Sequence, residues 1–503
     1  MHTFADPIKY AAQMAGGKIS VIDGAMSLSF SELHRRCRLL AGGLAALGLK
    51  KGDRVAILAG NCHHYIETYV AVPASGLVIV PLNTRHAEAE LIYALEDSGA
   101  RVLIIDKEPG KLAECVDHVI VIPDAYEEFL GNSSEKVLGE GVIEDDLAGL
   151  FYTGGTTGKS KGVMLTHRNL IANTFHYLSA IPQKSDDVML VIAPLFHAAG
   201  SNGVLANIWT LGTQITLAAF NPATALDLIE EYRVTETLGV PTMLAAMAEE
   251  QHARPRKTDS IRTITHGGSP IATEVLRRTH TAFPTAELNE IYGATELSPI
   301  CTALIGEQNL IDSPLARSCG RPIIGVEIKI LDTEGVEVER GEVGEVVVRG
   351  PNVMRGYWNK IEQTQAVLKD GSYWTGDLGY MDADGFVFLV DRSKDMIVSG
   401  GENVYCTEVE EVLYQHPAVL EAAVFGVPDE KWGEAVWAVV VPRDDTEINT
   451  TELIEFCQAR IAGYKAPKGI DVQTEPLPKS GPGKVLKREL RAPFWDKEDR
   501  AVN

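Results

Sequence analysis

YTGGTTGKSKG, residues 152–162, packs four glycines, three threonines and two lysines into a short stretch. Glycines let backbone amides approach an anion closely, hydroxyls donate hydrogen bonds and lysines add positive charge, so the composition suits a polyphosphate. The stretch nearly spells the phosphate-binding loop G-x-x-x-x-G-K-S/T, with Gly158-Lys159-Ser160 as its ending. The near match fails twice. Counting back from Gly158 lands on Thr153, so the first glycine is displaced to Gly154. After Lys161 the chain reads Gly-Val-Met-Leu-Thr, a strand pattern, and helical spacing begins only near Asn169. A phosphate loop of that kind must open a helix whose amides face the anion. Read alone, the stretch equally describes a flexible surface hairpin.

Working outward, the first third of the chain alternates helical and strand patterns. SELHRRCRLLAGGLAAL (31–47) has helical spacing and stops at Gly48, while RVAIL (54–58), LVIVPL (77–82) and RVLIID (101–106) read as buried strands. The rhythm resumes with ITLAA, TETLGV and TITHGG, separated by helical stretches such as ATALDLIEEY (223–232), which predicts layered sheets covered by helices. From about residue 316 to 390, short strands and Asp-Gly or Glu-Gly turns, as in VEIKILDTEGVEV and GYMDADGFVFLVDR, predict a small antiparallel β region. Beyond Arg392 come helical TEVEEVLYQH, strands EAAVFGV and AVWAVVV, helical TELIEFCQARI and a basic tail region through PKSGPGKVLKREL, the size of a separate α+β domain.

Composition bounds the function. A chain of 503 residues, 45% hydrophobic and 23% charged, is an ordinary globular sequence of more than one domain. Its formal charge of −23 disfavours a general nucleic-acid surface, so anionic ligands must meet local basic spots. The seven cysteines, an odd count with no Cys-x-x-Cys pair, suggest buried thiols in a reducing, cytoplasmic setting, with neither a disulfide framework nor a structural zinc site. The N-terminal stretch lacks a basic start followed by an apolar run. The richest apolar stretch, YVAVPASGLVIVPL, is broken by Pro73 and Gly76, so neither secretion nor a membrane span is expected.

Nine stretches then resemble, in order, the AMP-forming adenylating enzymes that include acyl-CoA synthetases, adenylation domains and firefly-type luciferases. They are YTGGTTGKSKG, LFHAAG (195–200), HGGSP (266–270), YGATE (292–296), YWTGDLG (373–379), DRSKDMIVSGGENVY (391–405), DEKWGE (429–434), YKAPK (464–468) and PKSGPGK (478–484). The resemblance runs over nearly the whole chain. It implies an α/β fold with a large N-terminal domain of layered sheets, flanking helices and a small β-barrel-like region over residues 1–391, a hinge at 392–394, and a small mobile α+β C-terminal domain over 395–503. It also implies two half-reactions. A carboxylic acid and ATP form acyl-AMP and pyrophosphate, and then a thiol, usually that of coenzyme A, displaces AMP. A carboxylate is a poor electrophile, and the adenylate supplies the leaving group.

Residue roles follow from the same resemblance. Thr153, Gly155, Thr156, Thr157, Gly158 and Lys161 grip the β and γ phosphates of ATP; relatives commonly have serine at position 154 and proline at 160. Tyr292 offers a face to adenine, Gly267 and Gly268 let it pass near backbone, and Asp377 and Arg392 bind the ribose hydroxyls. Thr295 serves the α-phosphate, and Glu296 is the magnesium ligand. His197 gates or orients the acid without acting as a general base, and Ala198, Ala199, Gly200, Val240, Gly293 and Ser298 shape the acyl pocket. Lys484 reaches the carboxylate and α-phosphate during adenylation, with Pro482 where threonine is common. Lys394 is the hinge residue. Gly400 and Gly401 line the thiol tunnel, Trp432 packs on pantetheine, and Lys465 and Lys468 attract CoA phosphates, with Ala466 where some relatives have arginine.

Taken singly, these residues have plain alternatives: a helix cap for Thr295, a core imidazole for His197, surface charges for Asp377, Arg392 and Lys484. No lysine or arginine stands in the acyl-pocket stretches, which favours a monocarboxylic acid, fatty or aromatic. The leading expectation is an acyl-CoA synthetase using ATP, Mg2+ and CoA, a monomer or homodimer. The alternatives are a free-standing enzyme loading a carrier protein, disfavoured because no carrier segment follows residue 503, a luciferase-like oxygenase, and a phosphate-loop NTPase or non-catalytic nucleotide binder.

Overall fold

In the computed structural model, described over residues 2–153, 160–269, 271–392, 395–400, 402–429, 431–443, 446–479 and 485–495, the backbone after Lys161 is the strand Lys161–Thr166. It pairs antiparallel with the strand Leu147–Thr153, and Thr153 faces Lys161. The opening stretch is therefore a strand-to-strand connection. The helix expected near Asn169 follows as His167–Ala180, with Thr166 accepting from the Asn169 amide at its N-terminus.

The chain divides into two compact units, residues 1–268, 277–328 and 348–373, and residues 269–276, 329–347 and 374–503. Two sheets organise the first unit. In one, the strands Glu287–Tyr292, Thr263–Gly267, Glu236–Gly239, Val188–Val191, Thr213–Thr216 and Ile19–Asp23 lie side by side and parallel. In the other, His118–Val121, Ala100–Ile105, Arg54–Leu58, Val78–Pro81 and Leu147–Thr153 are parallel, and Lys161–Thr166 and Gly356–Tyr357 complete the edge in antiparallel sense.

Strands covered on both faces read as unbroken apolar runs. Val55, Ala56, Ile57 and Leu58 are all fully buried. The apolar stretch around Pro73 becomes the helix His63–Ala74, every residue of which is buried, packed against strands of both sheets. Its burial on all sides, which takes in His63, His64, Glu67 and Thr68, reflects a central place in the fold. No helix among the described residues is long and apolar enough to cross a membrane. Ahead of it, the helix Phe30–Ala46 starts at a reciprocal Ser29/Glu32 capping box.

The second unit contains the β-rich segment, where the strand Val387–Arg392 pairs antiparallel with Ser372–Met381. It also contains a sheet built on the long hairpin Val419–Asp429 and Gly433–Pro442. Strand alternation sends Val424, Val436 and Val440 to one face, beneath the helices Cys406–Tyr414 and Thr450–Gln458. Phe425, Val427 and Val439 go to the other, against Leu490 and Phe494 of the helix Lys487–Trp495.

The basic tail region is thus partly a packed helix. Lys487, read from sequence as part of a charged tail, is paired with Glu410 at 2.7 Å beneath the surface. All seven cysteines are free; Cys62 and Cys115 are half-buried, and the other five are buried as expected.

Candidate active site

The carboxyl ends of adjacent parallel strands gather most of the first unit's anticipated residues. Tyr292 ends its strand and Gly267 ends the neighbouring one, while Val240 follows the next, Glu236–Gly239. Ligands of open parallel sheets bind at this edge, because loops there diverge and leave a crevice. Two glycines are demanded by geometry. A Cβ at Gly293 would lie 2.0 Å from the Pro299 carbonyl oxygen, and Gly268 holds φ +83° beside Val240.

The turn after Gly293 is stapled from two sides. Asn173 Nδ2 donates to the carbonyls of Leu297 and Ile300 at 3.2 and 2.7 Å, and Asn352 Nδ2 donates to the same pair at 3.0 Å each. Ser298, fully buried, spends its hydroxyl on the Asn352 carbonyl at 2.8 Å. Its side chain therefore anchors this turn, which carries the residue that the sequence assigns to the acyl pocket. Thr295 and Glu296 open the short 3-10 turn Thr295–Leu297.

Tyr357, which sequence reasoning missed, connects two anticipated residues. Its hydroxyl donates to Glu296 Oε1 at 2.8 Å, and Lys161 Nζ stands 4.2 Å from the centre of its ring. Tyr357 pairs with Val163 on the strand that begins at Lys161, so Lys161 stands over the ring of the same side chain whose hydroxyl holds the Glu296 carboxylate. Burial, reinforced by the Glu296 charge, raises the phenol far above its ordinary range and keeps it a donor. Only the short stretch RGYW around Tyr357 could have signalled this, and its pairing partner lies almost 200 positions away. A buried carboxylate fixed by one donor, on the residue that follows Thr295, is a hard-oxygen ligand that fits magnesium.

His197 precedes the helix Ala198–Thr210, of which Ala198 is buried and Ala199 half-buried. Its Nε2 is sealed without a hydrogen-bond partner, and burial, with the charges of Arg85 and His86, pushes the imidazole down to about 4. The ring is neutral at pH 7, in keeping with an orienting role. Arg85 is a cation that the pocket stretches themselves did not contain.

In the second unit, Asp377 and Arg392, both anticipated at the ribose, are direct cross-strand partners. Gly400 donates its amide to the Trp432 carbonyl at 2.8 Å, and a Cβ there would press on the indole at 2.8 Å, so the two residues assigned to the thiol acceptor lie together. Lys465 is committed to both oxygens of Glu408 at 2.8 Å, while Lys468 is exposed and bonds the Gly463 carbonyl. Gly155, Thr156, Thr157, Gly158, Lys394, Gly401, Lys484 and the Arg392 side chain lie outside the described residues.

Comparison with known proteins agrees with this arrangement. Residues 8–358 match the family described as AMP-binding enzyme, and residues 408–484 match the AMP-binding enzyme C-terminal domain. A feruloyl-CoA synthase of Amycolatopsis sp is 41% identical over 96% of this chain and 97% of its own length. A long-chain-fatty-acid–CoA ligase of Bacillus subtilis is 34% identical over 92% and 89%. The solved o-succinylbenzoate CoA synthetase of Bacillus subtilis, in complex with its acyl-adenylate, superposes with a TM-score of 0.87 at 33% identity, covering 97% of this chain and 98% of that one. The same relative has been solved with ATP and a magnesium ion. With both segments matched in order and the relatives aligned nearly end to end, the chain belongs to the AMP-binding enzyme family and is an AMP-forming acid–CoA ligase.

Proposed function

We propose that this ligase activates a monocarboxylic acid, fatty or aromatic, to its CoA thioester through an enzyme-held acyl-adenylate. The observation that carries the reading is the row of Val240, Gly267–Gly268 and Tyr292–Gly293 along adjacent strand ends, with Glu296 held by Tyr357 beside it. Among acid classes, aryl-propenoic acids stand first, supported by the 41% identity to a feruloyl-CoA synthase.

In the first half-reaction Thr153, Thr156, Thr157 and Lys161 hold the β and γ phosphates, Tyr292 and Gly267–Gly268 receive adenine, and Asp377 and Arg392 hold the ribose. Glu296 would hold the magnesium ion, which supplies charge neutralisation for the phosphates. His197, a neutral imidazole, orients the acid among Ala198, Ala199, Val240 and Gly293. A carboxylate oxygen attacks the α-phosphorus, the bond to pyrophosphate breaks, and Lys484 with Thr295 stabilises the charge developing between the two anions.

In the second half-reaction the CoA sulfur attacks the acyl carbon and AMP leaves. The C-terminal domain, residues 395–503, turns about Lys394 to present Gly400, Gly401 and Trp432 to pantetheine. Lys468 attracts CoA phosphates, and Lys465 does so in competition with Glu408.

The test is incubation of the protein with ATP, magnesium and CoA against cinnamates, benzoates and fatty acids of graded length, reading AMP and thioester together. Both products are expected from one acid class. Pyrophosphate exchange without thioester would point to a carrier-protein acceptor, and silence across the whole panel would overturn the substrate class.

A further inference from the structure

A second cluster of ionisable groups, none of them used above, forms where the helix His63–Ala74 begins. His63 Nδ1 lies 2.6 Å from Asp23 Oδ2, and the same oxygen accepts from the His63 amide at 3.0 Å. Thr216 Oγ1 donates to the other Asp23 oxygen at 2.8 Å. A carboxylate can only accept, so Nδ1 donates to it and Nε2 is the nitrogen left to take a further partner. That Nε2 is sealed from solvent without a partner, on a residue 6% exposed.

That nitrogen faces a carboxylate oxygen. Glu127 Oε1 stands 3.9 Å from His63 Nε2 and 2.9 Å from His64 Nε2, and the three atoms lie within 4.8 Å of one another. A proton on His63 Nε2 could not bridge 3.9 Å as a hydrogen bond. An ion bonding nitrogen and oxygen at about 2.0–2.2 Å could sit between the three atoms after small adjustment.

The surroundings fit the chemistry of a histidine-ligated cation. A carboxylate behind a ligating imidazole is the usual outer partner, fixing its tautomer and raising its basicity. Arg36 donates to both oxygens of Glu127, reaching Oε1 at 2.6 Å, and to both oxygens of Glu67, so one guanidinium is set against two carboxyl groups. The Glu127 side chain is 41% exposed, which opens the cluster to solvent on one side.

We propose that His63 Nε2, His64 Nε2 and Glu127 Oε1 form a site for a divalent cation of the zinc class, with Asp23 as the positioning partner of His63. Two imidazoles and a carboxylate select zinc or cobalt over magnesium, and three protein ligands leave one position for water. Binding through His64 Nε2 takes the place of its 2.9 Å contact with Glu127, the ring N–H then standing on Nδ1. The ion would tie the strand Ile19–Asp23, the helix His63–Ala74 and the helix Asp124–Gly131 together.

The experiment titrates the full chain, freed of metal by a chelator and without ATP, first with cobalt(II) and then with zinc. One cobalt per chain with the intense visible bands of four-coordinate geometry, bleached by equimolar zinc, is expected. Asp23→Asn should weaken affinity by roughly 10- to 100-fold, as outer-partner changes do. His63→Gln and, separately, His64→Gln should abolish the bands while each variant keeps the wild-type circular dichroism. Only the faint spectrum of six-coordinate cobalt in the wild type, or bands equally strong in folded His63→Gln, overturns the site.

Discussion

Tyr357 shows how one hydroxyl can matter to a reaction it does not touch. Its hydrogen bond to Glu296 fixes a carboxylate that otherwise has rotational freedom, and its ring steadies Lys161. It is a positioning residue, and Tyr357→Phe separates the two effects because the ring stays. A hydrogen bond to a charged group contributes about 1.5–3 kcal/mol, so the variant should need roughly tenfold or more additional magnesium for half-maximal rate. Its melting temperature and its KM for the acid should move little. An unchanged magnesium dependence would leave Tyr357 with a packing role alone. Tyr357→Leu, which also removes the aromatic face, should raise the KM for ATP as well.

At the scale of elements, the turn after Gly293 depends on side-chain amides because its carbonyls belong to no ladder. Asn352→Ala strips one donor from each of two buried carbonyls and should cost about 1–3 kcal/mol in urea unfolding of the full chain, with a larger loss in adenylation rate than in thioester formation. The strand Glu236–Gly239 gives a pH signature. Glu236 is buried inside the sheet, and burial, with Asp187 nearby, raises its carboxyl to about 7, while Gln183 donates to it at 2.7 Å. The folded value lies above the unfolded one, so this group's contribution is complete below about 4.5 and is lost as pH climbs towards about 7. Glu236→Gln removes the titration. Relative to wild type it should gain about 3 kcal/mol between pH 4.5 and pH 8, read from urea midpoints at both pH values. A gain that does not grow with pH would mean that Glu236 is ionised in the folded chain.

For the molecule as a whole, the two half-reactions are expected to be separable. Lys484→Ala should lower adenylation by roughly 10²–10³-fold, the scale of removing one charge-stabilising donor, while thioester formation from pre-made acyl-adenylate stays within about threefold of wild type. Single-turnover assays of each half provide the comparison, and equal losses in both would remove Lys484 from its assigned step.

The amino-acid sequence by itself determined the family, the nine ordered stretches, the strand after Lys161 and the alternation of helices and sheets. Those properties are local: period, turn chemistry and short motifs are written in neighbouring residues. Only the tertiary structure decided that Ser298 anchors a turn, that Lys465 is committed to Glu408, that the tail carries a packed helix with a half-buried Lys487, and that Tyr357 joins Lys161 to Glu296. It also placed Asp23 behind His63, and Glu127 in front of it. Each of these pairs groups far apart along the chain, and burial then sets their charge and hydrogen bonding. That pairing depends on sheet order and register, which no single stretch of sequence encodes.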